Sequence, residues 1–169
     1  MLVISLYPQF RVTTSLQPKV TSRYYYILEI EGVTAGAYVK PVGEINLGET
    51  EVIEFQDGQD IILRKRAGRN HFHNLAFQLD NSRYSNFKLW WDEAKKIIKW
   101  YMEVQKEHTN RKSISLIMKD TKGNKELLCI NFFECWPCKI DLNFSYYNFP
   151  TLTFYITTEK ALIDPRFLD

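Results

Sequence analysis

From Tyr24 onward strand-like patterns dominate this chain, with clean alternation of apolar and polar positions in three stretches, and the period changes once. Residues 24–31 are rich in aromatic and aliphatic side chains, Gly32 and Gly36 then interrupt the run, and 38–45 resumes the pattern. This predicts two strands joined as a hairpin. Residues 49–55 and 61–66 are two further strand-like runs, and between them Asp57-Gly58 is a strong turn dipeptide because glycine accepts a positive φ. Residues 74–80 place Leu75, Phe77 and Leu79 on one face and Ala76, Gln78 and Asp80 on the other. After Ser82 the spacing becomes three and four: Phe87, Trp90, Trp91, Ala94, Ile97, Ile98, Tyr101 and Met102 recur as a stripe, while Lys88, Asp92, Glu93, Lys95, Lys96 and Lys99 fall mainly elsewhere. One amphipathic helix is expected there, with Ser85 or Asn86 as its N-cap and a stripe so wide that it has to lie on a sheet. Alternation returns at 113–119, with Ile114, Leu116 and Met118 on one face, and Lys122-Gly123-Asn124 turns the chain into 127–135 as another hairpin. Leu152, Phe154 and Ile156, alternating with Thr153, Tyr155 and Thr157, give a closing strand.

About seven or eight strands with one helix inserted between hairpins describe a mainly β protein, an antiparallel β-sandwich or barrel carrying the helix on one side. The order is not βαβ, and no glycine-rich phosphate loop or dinucleotide fingerprint is present. The division expected along the chain is an N-terminal arm over 1–23, a β domain over 24–158 and a C-terminal tail over 159–169. The arm is interrupted by Pro8 and Pro18 and carries apolar anchors in Ile4, Leu6, Tyr7 and Phe10, which a partner surface would cover.

Composition narrows the function classes. Apolar residues make up 45% of the 169 and aromatics 15%, too rich a core for disorder and enough to fold without disulfides or metals. A net charge of +2 lacks the broad positive field of a dedicated nucleic-acid binder, so any charge effect is local. No apolar run approaches the roughly 20 residues that cross a bilayer, and the first ten residues lack a basic start followed by a long apolar stretch, so synthesis in the cytoplasm without membrane insertion is expected.

Candidate chemistry is sparse. Cys135-Trp136-Pro137-Cys138 matches C-x-x-C, whose redox use needs an exposed thiolate at a helix N-terminus; here it ends a β-run, and a structural role is the expectation. Cys129 with His71, His73 or His108 could add to a zinc site, but there is only one close cysteine pair. His71 and His73 fall on one side of a strand with no carboxylate beside them in sequence, which reads as surface loop histidines. No nucleophile elbow or H-E-x-x-H occurs, so no catalytic residue, cofactor or metal is assigned. Arg64, Lys65, Arg66 and Arg69, flanked by Phe72, form a basic cluster suited to protein contact, with a nucleic-acid-binding β domain as the lower-ranked alternative.

Three stretches, in order, resemble the tail tube family of phages and contractile injection systems. They are the basic, glycine-containing 63–69 followed by 74–80, the aromatic helix around Phe87-Lys88-Leu89-Trp90-Trp91, and the run 111–140 ending in Trp136-Pro137-Cys138-Lys139-Ile140. The resemblance covers about 24–158 and implies a non-enzymatic subunit of a hexameric ring, its sheets paired edge to edge around a lumen that carries cargo. Implied partners are other copies in the ring, adjacent tube rings, and sheath and baseplate or hub proteins; a tube-initiator ring joining hub to tube is the alternative within the family. On that reading the acidic loop 48–60, with Glu49, Glu51, Glu54, Asp57 and Asp60, reaches a neighbouring ring, where the basic loop 64–69 is its complement. The chain would end as part of an assembled phage tail or injection particle.

Overall fold

The computed structural model describes residues 22–56, 58–59, 61–108 and 110–169. The arm anchors Ile4, Leu6, Tyr7 and Phe10, and the acids Asp57 and Asp60, lie outside them. The chain runs β1 (Tyr24–Ile30), β2 (Thr34–Pro41), β3 (Glu49–Phe55), β4 (Arg64–His71), β5 (Leu75–Leu79), α1 (Phe87–Glu107), β6 (Lys112–Asp120), β7 (Glu126–Asn143), β8 (Thr151–Thr157) and β9 (Lys160–Ile163).

Six strands close on themselves. The order β6-β1-β2-β5-β8-β7 is completed by a β6–β7 pairing, and every neighbouring pair is antiparallel. Closure is possible because β7 serves two partners in succession. Its first half pairs with β6 as far as Cys135 and its second half with β8 from Trp136 onward. Two irregularities mark the change: Glu134 sits at φ 55°, and the register shifts between Pro137 and Lys139. A proline in mid-strand is tolerated where a bulge already breaks the ladder. The C-x-x-C segment therefore lies inside a strand of 18 residues and not at its end. Residues 160–163, expected as tail, form β9 and continue along β7 beyond β8, with Phe133 opposite Lys160. Between β8 and β9 the buried Thr158 hydroxyl lies 3.0 Å from the carbonyls of both Phe133 and Lys160, which pins the break to β7.

Alternation does what it predicts on the barrel strands. Leu28 and Ile30, Ala37 and Val39, Leu75, Phe77 and Leu79, Leu152, Phe154 and Ile156 all point inward and are buried. The helix seals this core. Asn86 is its N-cap, accepting from the Leu89 amide at 3.0 Å, and the left-handed His108 ends it. Its buried line is Trp90, Ala94, Ile97, Trp100 and Val104, packed against β7 and β2. This is rotated from the stripe read in the sequence. Trp100 joins the core, its Nε1 donating to the Asn110 carbonyl at 3.1 Å, whereas Phe87 and Trp91 are partly exposed and Met102 is 63% exposed.

Candidate functional site

The strands β3 and β4 stand apart as a separate two-stranded sheet, inserted between β2 and β5, which pair directly with each other. The Val42 amide bonds the Ala76 carbonyl at 2.9 Å, so the barrel wall is continuous across the base of the insertion. The hairpin is therefore a projection from a complete wall. Its turn lies where Asp57-Gly58 predicts, with Gly58 at φ 57°, but the second strand is displaced. Ile61, Ile62 and Leu63, expected to open that strand, belong to the connection and are exposed, Ile61 by 93%. The strand begins at Arg64, so the basic cluster expected as a loop is strand backbone paired to β3.

This register gives the hairpin its electrostatic form. All three charges on β3 are acidic, Glu49, Glu51 and Glu54, and the four on β4 are basic, Arg64, Lys65, Arg66 and Arg69. Glu54 stands opposite Lys65, and Ile53 opposite Arg66. Acid and base thus meet first within one hairpin, across its own ladder. The Arg66 guanidinium also lies over the Phe55 ring, 5.8 Å from its centroid. Near the base, His73 Nε2 is 2.9 Å from Glu49 Oε2, and Glu49 is the register partner of His71. A carboxylate absent from the local sequence is thus supplied by the facing strand. A side chain at Gly68 would meet Ile53 and Glu51 at about 3 Å, so these two cover the ribbon at that point.

A second exposed surface has no counterpart in the sequence reading. The β7–β8 connection carries Phe144, Tyr146 and Tyr147 largely in solvent, and Phe149 from the same loop packs on the first turn of α1. There Phe87 and Trp91 stack with rings 6.3 Å apart and 7° from parallel. The repeated aromatics of 144–149 are visible in the sequence; their exposure is not.

Cys129 and Cys135 are buried and Cys138 is half-buried. Burial pushes the Cys135 thiol up to about 11, partly opposed by its contact with the Thr158 hydroxyl at 3.4 Å. Burial and then nearby Asp164 raise Cys129. Cys138 Sγ donates to the Tyr155 carbonyl at 3.4 Å. All three are free thiols. Among the described residues no three His, Cys, Asp or Glu side chains gather where a metal ion could sit. Tyr84, half-buried on the barrel flank, accepts from the Tyr38 amide at 3.0 Å and is pushed up to about 12, mainly by desolvation. No described helix is long and apolar enough to cross a membrane.

Solved structures share this fold at low identity. The structure described as the anti-feeding prophage tube terminating cap aligns with a TM-score of 0.59 at 14% identity, over 88% of this chain and 93% of its own. The sheath/tube terminator of the extracellular contractile injection system PVC aligns at 0.59 and 12% identity, over 88% and 99%. The PVC sheath-tube complex gives 0.56 and 12%, over 90% and 96%. No curated protein matches the chain by sequence. The family model for T4-like virus tail tube protein gp19 matches residues 22–145, which includes β1 through β7, the helix and the hairpin. The chain belongs to that family and is a structural subunit of a tail tube.

Proposed function

We propose that the protein forms hexameric rings that stack into the inner tube of a phage tail or contractile injection system, enclosing a lumen for cargo and contacting sheath and baseplate or hub proteins. The observation that carries this reading is the charged hairpin projecting from a closed barrel, in a chain whose family is the tail tube. A closed barrel satisfies most of its strand edges internally, so contacts between copies fall on the parts that project from it. Among the described residues these contacts are Glu49, Glu51, Glu54, Arg64, Lys65, Arg66 and Arg69. On the same reading Asp57 and Asp60 take part in these contacts, and residues 1–23, through Ile4, Leu6, Tyr7 and Phe10, attach the ring to a neighbouring ring or hub. The role is structural, with no catalytic step.

A second reading within the family is a specialised ring at an end of the tube, favoured by the fit to the cap and terminator structures. Electron microscopy of purified protein at increasing concentration tests both. Long tubes support a body subunit, single rings support an end ring, and a strictly monomeric species both in solution and in assembled particles overturns ring formation.

A further inference from the structure

We propose that the β3–β4 hairpin is a self-complementary ribbon: the acidic outer edge of β3 in one copy pairs antiparallel with the basic outer edge of β4 in a second copy. This rests on the ring-subunit reading and specifies its contact. Among the described residues the backbone ladder of β3 and β4 joins only these two strands, so each has one edge with no strand beside it there. A lone two-stranded ribbon is marginal in water, and a third strand is what ordinarily secures it. This ribbon also leaves apolar side chains exposed, Val52 by 63% and Phe55 by 37%.

The charge pattern identifies the third strand. Inside the hairpin an all-acidic strand lies antiparallel to an all-basic one, Glu54 facing Lys65. Seen from the outer edge of β4, the described strand that reproduces that step is another β3. The outer edge of β3 likewise fits another β4. Each copy would present one acidic and one basic edge, and the ribbons would join as β3-β4-β3-β4 in continuous antiparallel order. Edge charge normally blocks strand addition; here it blocks like edges and leaves the opposite edge open to pairing. The contact is heterologous, the kind that generates a closed ring or a stacked tube, and not an isolated two-fold dimer.

The test uses two variants of the full chain. Glu51→Lys with Glu54→Lys reverses the charge of β3 at two positions, and Lys65→Glu with Arg66→Glu and Arg69→Glu reverses β4. Each alone should weaken self-association about tenfold or more, because like edges now meet. Mixing the two should restore it, since the basic β3 of one meets the acidic β4 of the other while every hairpin keeps its internal clash. A purely intramolecular role cannot be rescued by mixing. Thermal unfolding of each variant shows that the barrel is intact. A mixture that assembles no better than its components overturns the inference, as does self-association that neither variant weakens; in either case the ring reading survives if the native chain still forms rings. A native chain that stays monomeric at its highest soluble concentration and in particles overturns both.

Discussion

The barrel and the hairpin are built from the same kind of strand and differ in where their edges and side chains go. In the barrel, six strands satisfy one another around a closed circuit, and Phe77, Phe132 and Phe154 are fully buried inside it. In the hairpin, neither edge is covered by a third strand among the described residues, and the side chains of β3 and β4 are largely exposed. The difference separates two tasks. Apolar burial in the barrel supplies stability that does not depend on other copies. The hairpin, joined to the wall at a point where β2 and β5 already pair, contributes little to that core, and on the proposed reading its charges serve association.

The largest effect expected from this division is a contrast between two truncations. Phe154 is fully buried, with its ring 5.8 Å from that of Phe77, so Phe154→Ala should lower unfolding free energy by about 3–5 kcal/mol. Val52→Ala, at a site 63% exposed, should stay within about 0.5 kcal/mol. Chemical denaturation measures both, and equal losses would show that the hairpin belongs to the folding core. Next comes excision, in which a short Asn-Gly turn replaces residues 43–74 so that β2 runs directly into β5. The barrel should still fold, losing about 2–3 kcal/mol with the partly buried Ile45 and Phe72, while ring formation disappears. Failure to fold would mean that the hairpin holds the wall together.

How much of this is legible in the sequence depends on the same boundary. Where one face is buried, the period of two picks out the right strands: Leu75, Phe77 and Leu79 are all core. In the hairpin neither face is buried, so hydrophobicity misleads. Ile61-Ile62-Leu63 looks more like a strand than Arg64-Lys65-Arg66, yet it is the connection. The helix period is clear, but its phase is not, because aromatics occur on both sides of it; burial selects Trp100 over Met102. The C-x-x-C segment reads as the end of a β-run because the switch of β7 from β6 to β8 is a property of the closed barrel, marked in the structure by Glu134 and the shift after Pro137 but not in the apolar pattern. The segregation of acid and base can be read from the sequence, but that the two face each other in one ladder cannot.

A smaller effect probes the barrel alone. The folded Cys135 thiol lies above its ordinary 9.0, at about 11, so the folded state holds its proton more tightly than the unfolded chain does. The corresponding stability is complete below pH 9 and is lost as the pH rises toward about 11, a fall on the order of 2 kcal/mol. Denaturant titrations across that range should slope downward for the native chain and less steeply for Cys135→Ala. Some slope should remain from Tyr84, which is raised from 10.0 to about 12 by the same cause. A slope identical in the variant would place the titration elsewhere.

The smallest expected effect is in the hairpin, and it tests whether the two regions are uncoupled. Gly68 is not among the glycines with positive φ, so alanine there is conformationally allowed and removes some backbone freedom from the unfolded chain. Against this, its Cβ would meet Ile53 Cδ1 at 2.9 Å and Glu51 Oε2 at 3.0 Å, too close for both to stay in place. The Glu51 carboxylate can turn into solvent, and the half-buried Ile53, whose Cγ1 also lies at 3.0 Å, can rotate aside on a ribbon with no core behind it. The two terms nearly cancel, and Gly68→Ala should change global unfolding by less than about 0.5 kcal/mol. Any shift should appear in self-association instead, because Glu51 is one of the charges that the substitution displaces from the β3 edge. If the melting transition of the barrel falls by several degrees while association is unchanged, strain in the hairpin is reaching the core, and the separation of stability from assembly fails.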